Sequence, residues 1–307
     1  MAFDDLPVES LACLMNEVQL HTILEEAQEF AAEGKVLHAV QLYRRVMQAM
    51  PTLDEPYVRL SQIYLEMGRA DLAEKILGTG QARNPDNITF IRMLGEFHLQ
   101  RGSFRDAVTA LRRLAHRRLP DVHFNMGVAY MHLAQWSEAE SEFQTTIVLD
   151  ERWPNVHEAL GEVLIRRKCF GEAIRELERG VQIDPYSGIG HRLLGVALMN
   201  RMEFSRAIEH LTLAVDIDPK DAEAWELCGD ALLRMRRFEE AELYLTKALK
   251  LNPGSAEASI CIGFLCMHRG ERNKALQAFN RALQLQPGHP RAVDGKLQLS
   301  IQSNRVL

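Results

Sequence analysis

Three short stretches of this chain carry residue types that could hold a phosphate or activate water. Gly188-Ile189-Gly190-His191-Arg192 opens like a dinucleotide-binding turn, in which glycines let the backbone approach a pyrophosphate. That chemistry needs a strand before the turn and a βαβ unit around it. Here the glycines follow a helix stop, so the match fails its context. Gly78-Thr79-Gly80-Gln81 lacks the Lys-Ser/Thr ending of a phosphate loop. His157-Glu158 has no second histidine at the spacing a zinc-peptidase helix requires. Cys228 and Cys266 fall on apolar positions and read as small hydrophobes. Cys261 and Cys266, five residues apart, lie on different helix faces. The 11 histidines look scattered, with His132 and His268 standing singly. No catalytic constellation, metal site or cofactor site follows, and the chain does not read as an enzyme.

Composition narrows the remaining classes. A net charge of -6 argues against a general nucleic-acid binder, which would carry a basic field. The five cysteines, including Cys13 and Cys169, are odd in number and irregular in spacing, which favours a reducing compartment over a disulfide framework. No stretch approaches the ~18 consecutive apolar residues of a membrane span. The start, Met1-Ala2-Phe3-Asp4-Asp5, is acidic where a secretory signal is basic. A cytoplasmic protein without membrane insertion is the expectation.

The elements that must position any site come from a repeat. Alanine returns at Ala39, Ala73, Ala107, Ala139, Ala173, Ala207, Ala241 and Ala275, 34 residues apart except for one interval shorter by two. Aligning on it gives eight units at 20–53, 54–87, 88–119, 120–153, 154–187, 188–221, 222–255 and 256–289. In the seventh, Trp225, Cys228, Gly229 and Leu232 have helical spacing, as do Ala241, Leu245, Ala248 and Leu249. Pro253 cannot continue the second helix and biases Asn252 away from helical angles. Each unit is therefore helix, turn, helix, stop. Small residues recur in the first helix at Gly95, Gly127, Gly161, Gly195, Gly229 and Gly263. Mid-helix glycine costs about 0.5–1 kcal/mol against alanine, so close helix contact must offset it. The bulky partners are Leu111, Phe143, Leu177, Leu211, Leu245 and Phe279, and turn aromatics such as Phe104, Trp136 and Phe238 close the gap between hairpins.

Trp225, Gly229, Ala241, Ala248 and Pro253, with Leu194, Gly195, Ala207, Ala214 and Pro219, make the chain resemble a tetratricopeptide repeat (TPR) protein. The resemblance covers residues 20–289. It implies an all-α, right-handed superhelical solenoid of antiparallel helix pairs whose first helices line a concave groove. The flanks read as caps. Leu11, Leu14, Met15 and Val18 trace an apolar stripe through an N-terminal helix in 1–19, for capping or for docking a second copy. Residues 290–307 form a C-terminal capping helix with Ala292, Val293, Leu297 and Ile301 on its apolar face, and a frayed tail.

The short interval falls in the third unit, whose second helix carries Arg112, Arg113, Arg117 and Arg118 beside His116. Loss of two residues there is either loop drift or the mark of a basic convex patch for an acidic partner, phosphate or lipid head groups.

On the family geometry, the groove face includes Val58, Leu65, Leu99, Phe124, Val128, Met131, Val196, Met199, Ile260, Phe264 and Met267. Charges join them at Arg92, Glu158, Glu162, Arg192, Glu226 and Asp230. One reading packs the stripe against the neighbouring helix and pairs the charges with each other across repeats. The other makes an apolar track that holds a protein or peptide segment, with acids favouring Lys or Arg in it. The Lys and Asn positions with which some TPR modules clamp a chaperone carboxylate hold Leu24 and Gln28, Val58 and Gln62, then Arg92 and Glu96. That motif is absent. The sequence thus points to a non-catalytic adaptor, or alternatively to a scaffold that self-assembles through its N-terminal helix.

Overall fold

A computed structural model describes residues 17–304 in its backbone and 19–301 in its side chains. The described residues are helical throughout, with no strand. First helices of successive hairpins are α1 (Glu17–Ala32), α3 (Glu55–Glu66), α5 (Ile88–Gln100), α7 (Pro120–His132), α9 (Val156–Arg166), α11 (Gly188–Asn200), α13 (Ala222–Arg234) and α15 (Ala256–His268). Second helices are α2 (Val36–Ala49), α4 (Ala70–Arg83), α6 (Phe104–Leu111), α8 (Trp136–Leu149), α10 (Phe170–Ile183), α12 (Phe204–Ile217), α14 (Phe238–Leu251) and α16 (Arg272–Leu285). A last helix, α17, spans Pro290–Asn304. None of the described helices is long and apolar enough to cross a membrane. Two compact units divide the chain after Leu149. The first holds the hairpins to α8; the second holds those from α9 together with α17.

Each hairpin closes on the recurring alanine, which is fully buried in all eight helices. Opposite it, a Cβ built on Gly95, Gly161, Gly195 or Gly229 would lie 2.4–2.6 Å from the partner leucine's side chain, Leu111, Leu177, Leu211 or Leu245. At Gly127 and Gly263 the obstacle is the ring of Phe143 or Phe279, at 2.6 and 2.5 Å. Phe279 also fills the space over Gly295 of α17, where a Cβ would meet it at 2.4 Å. Turn aromatics tie one hairpin to the next: Phe104 stacks on His132 at 4.2 Å, and Phe238 on His268 at 5.1 Å. Both histidines that stood singly in the sequence are thus packing partners.

The short interval has a local cause. The other second helices run 14 residues, whereas α6 has eight and passes into a 3-10 helix, Arg112–Arg117. Arg118 then turns the chain with a left-handed φ of 54°.

Of the two flanks, only the C-terminal one lies among the described residues, and the face it buries differs from expectation. Leu11, Leu14 and Met15 lie outside the described residues, as does the side chain of Val18. On α17 the buried residues are Ala292, Gly295 and Leu299, while Val293, Leu297 and Ile301 are each about half exposed. The face against α16 is the one with Gly295, because only glycine admits Phe279 there.

Candidate functional site

The three stretches that suggested chemistry resolve into helix structure. Gly188 and Gly190 open α11, and Ser187 already caps it by accepting from the Gly190 N–H at 2.9 Å. Gly78 and Gly80 lie inside α4, with Gly80 under the ring of Phe90. Among the described residues no group of three or more His, Cys, Asp and Glu side chains could hold a metal ion. Burial pushes the Cys228 thiol up to about 11 and that of Cys261 well above its ordinary range, so neither is a ready thiolate.

The groove candidates separate by burial. In the first unit Val58, Leu65, Leu99, Phe124, Val128 and Met131 are each partly exposed, as are Val196, Met199, Phe264 and Met267 in the second. Their inner parts pack on the core: Leu65 against the cluster around Leu60 and Tyr64, Phe264 and Met267 against that around Phe279. Phe124 tilts onto Phe143 at 5.6 Å. Ile260 is different. It has no exposed surface and belongs to the core, because its helix is apolar on nearly every side.

The charged candidates form a lattice of their own. Arg92 of α5 pairs with Asp121 of α7 at 2.5 Å. Arg192 of α11 reaches Asp221 at 2.9 Å and Glu223 at 2.6 Å, one hairpin on. Asp230 is 7% exposed and sits between Arg234 and Arg291, each at 3.0 Å. Burial is the largest influence on that carboxyl and works to raise its pKa. Arg291 and Arg234 outweigh it and hold the group below the usual range. Arg291 also binds Glu257 at 3.0 Å, and Glu162 pairs with Arg166 at 3.4 Å. Glu158 is 8% exposed, packed where a Cβ on Gly180 or Gly190 would meet its carboxyl at 3.3 and 3.2 Å. Neither Glu158 nor Asp230 is an open groove acid. Glu226 keeps a raised pKa from burial, opposed by its hydrogen bond with Ser255.

The basic junction also divides. Arg112 donates to the Tyr130 hydroxyl at 2.9 Å, and Arg113 to the Pro85 carbonyl at 2.6 Å with Asp86 at 3.7 Å. Arg117 and Arg118 are exposed.

One ordered row escaped the sequence reading. His123, His157 and His191 are buried at the repeat position that Trp225 occupies in the seventh unit. Their Nδ1 atoms face Glu142 at 2.6 Å, Glu176 at 3.0 Å and His210 at 3.1 Å. The far edge of the ring seeks a carbonyl six residues back. His157 Nε2 meets Glu151 O at 3.1 Å, His191 Nε2 meets Pro185 O at 3.1 Å, and Trp225 Nε1 donates to Pro219 O at 3.1 Å. His123 Nε2 has no such partner, since the 3-10 helix occupies the chain six residues before it. The signal was present: these histidines stand 34 residues apart.

Comparison with known proteins bears on the fold. Family profiles described as tetratricopeptide repeat match residues 30–90, 92–156 and 226–290. No curated protein matches the sequence. Among solved structures, the chain is similar to one from the APC/C hetero-tetramer Cut9–Hcn1, at a TM-score of 0.63 and 16% identity. That match covers 93% of this chain and 57% of the other, so this chain spans little more than half of that relative. A tetratricopeptide repeat protein from Parabacteroides merdae matches at 0.60 and 15% identity, covering 81% of this chain and 98% of that one. YrrB, a TPR protein with an unusual peptide-binding site, matches at 0.51 and 22% identity over 59% of this chain and 93% of its own. At these identities the likeness is one of fold.

Proposed function

The chain belongs to the tetratricopeptide repeat family, and on that premise we propose that it is a non-catalytic scaffold that binds a protein segment on its first helices. The observation that supports this is the row at one repeat position: Leu65, Leu99 and Met131 in the first unit and Ile165, Met199 and Met267 in the second are partly exposed, whereas Leu233 at the same position is buried. Apolar side chains that keep open surface at a fixed step offer anchors to an extended or helical segment, and methionine adapts to its shape. The peptide-binding site of YrrB gives a precedent on the same fold. The segment is chiefly apolar. Selection for Lys or Arg loses its support at Glu158 and Asp230, because those acids are buried, and Asp230 is also paired.

Photo-crosslinkers placed at Met131 and at Met199 test the reading, with a control at Leu243 on the second helix α14, which is 68% exposed. Each first-helix position should trap a partner on its own unit, and Leu243 should not. Met131→Gln combined with Met199→Gln keeps side-chain length and should weaken capture about tenfold, with helicity unchanged. Equal trapping from Leu243, or capture indifferent to the double substitution, refutes the first-helix assignment.

A further inference from the structure

The second-helix side of the third hairpin carries a different kind of site. On α6, Arg105, Val108 and Thr109 follow i, i+3 and i+4, and Arg112, the first residue of the 3-10 helix, continues that face at i+7. Across from them stand the end of α7 and the turn beyond it, with Tyr130, Leu133 and Gln135, and the two walls enclose a half-open cleft of about 260 Å³. Its lining combines the apolar Val108 and Leu133 with the cationic Arg105 and Arg112. The Tyr130 hydroxyl accepts from Arg112 Nη2 at 2.9 Å, which fixes the guanidinium and leaves its other N–H groups free to donate. Arg105 is exposed and enters no ion pair among the described residues. The nearest acid acting on Arg112, Glu142, is already engaged by His123 at 2.6 Å.

We propose that this cleft binds an acidic peptide, seating a glutamate side chain with its methylenes on Val108 and Leu133 and its carboxylate between Arg105 and Arg112. Arg105 and Arg112 stand about two helical turns apart along this face, and each guanidinium presents a planar donor fork that suits a carboxylate. Only the third hairpin has it. The two equivalent positions hold Leu37 and Arg44, Asp71 and Gly78, Ser137 and Gln144, Gly171 and Glu178, Ser205 and Thr212, Glu239 and Thr246, and Asn273 and Asn280 in the others. Arg117 and Arg118, at the end of the adjoining 3-10 helix and its exit, add exposed positive charge on a chain whose net charge is -6. Between Met67 and Val148 no large apolar side chain is exposed among the described residues, so this surface offers nothing to insert into a lipid layer. The cleft's single aromatic, Tyr130, is buried with its hydroxyl engaged, so no face is open for base stacking.

Fluorescence anisotropy on the full chain tests this, with a labelled peptide of alternating Glu and Ser and the same peptide carrying Gln for Glu. The Glu peptide should bind at low salt, and the Gln peptide about tenfold or more weaker. Arg105→Gln and Arg112→Gln should each reduce binding about tenfold, while Arg236→Gln with Arg272→Gln, the charge loss placed elsewhere, should leave it unchanged. The exposed Arg105 side chain makes no hydrogen bond or ion pair among the described residues, so its variant tests the site without removing a packing contact. Absence of Glu-peptide binding, equal binding of the Gln peptide, or indifference to Arg105→Gln overturns the proposal. So does tighter arginine-dependent binding of inorganic phosphate, an oligothymidine or phosphatidylserine vesicles than of the peptide.

Discussion

A histidine whose two ring nitrogens both face acceptors has one satisfied state, the imidazolium. His157 is in that position, with Nδ1 on the Glu176 carboxylate and Nε2 on the Glu151 carbonyl. The bond to Glu176 is the main influence raising its pKa, against burial, and the same bond lowers that of Glu176. A raised histidine pKa gives stability that is fully present below the unfolded value near 6.5 and is lost as pH climbs through the folded value. The lowered Glu176 value gives stability present above the unfolded carboxylate value and lost as pH falls through the folded one. The pair therefore acts most strongly in mildly acidic solution. His157→Phe should cost about 2 kcal/mol at about pH 6 in urea melts, and visibly less at about pH 9. A penalty independent of pH would remove the charged pair. His210 carries the opposite sign: burial, then His191, lowers its pKa. Proton NMR should find the two midpoints on either side of ~6.5, and a common midpoint would contradict the distinction.

At the scale of the helix, the same glycine has opposite value in different places. Gly195 of α11 lies against Leu211, and a Cβ there would stand 2.5 Å from its Cγ, an atom too near the backbone to swing aside. Gly78 of α4 is exposed mid-helix with nothing within 4 Å of its Cβ position. Gly195→Ala should thus destabilise by about 1–3 kcal/mol, and Gly78→Ala should stabilise by about 0.5–1 kcal/mol. Thermal melts that moved in the same direction would show that helix propensity, not close approach, governs both sites. Hairpin packing of this kind was legible in the sequence, because the alanine, the glycine and the bulky residue keep one spacing. The burial of Ile260, Glu158 and Asp230 was not. A residue's unit position assigns a helix face, but whether that face is open depends on the next hairpin, as Arg291 on α17 decides for Asp230. The exposure of Val293, Leu297 and Ile301 on α17 escaped for a like reason. Hydropathy places them on the inner face, but Phe279 requires the glycine there.

Over the whole chain, positive charge is deployed in two ways. On the first helices, Arg92 pairs with Asp121 and Arg192 with Asp221 and Glu223 of the next hairpin, and Arg291 of α17 pairs with Asp230 and Glu257. Such pairs leave apolar side chains as the free chemistry of that face. On the second-helix side of the third hairpin, Arg105 carries no ion pair among the described residues, Arg112 is held by a neutral hydroxyl, and the charge stays available. The two surfaces should therefore answer salt differently. Raising sodium chloride from about 50 to about 500 mM shortens the screening length from roughly 14 to 4 Å. Partner binding at the first helices should then change less than about threefold, with the negative heat-capacity change of apolar burial. Glu-peptide binding at the α6 cleft should fall by about tenfold or more over the same range. Calorimetry on the full chain reads both. A first-helix partner released by salt would mean that its affinity draws on the arginine–acid lattice, and that the pairs in it open to admit the ligand.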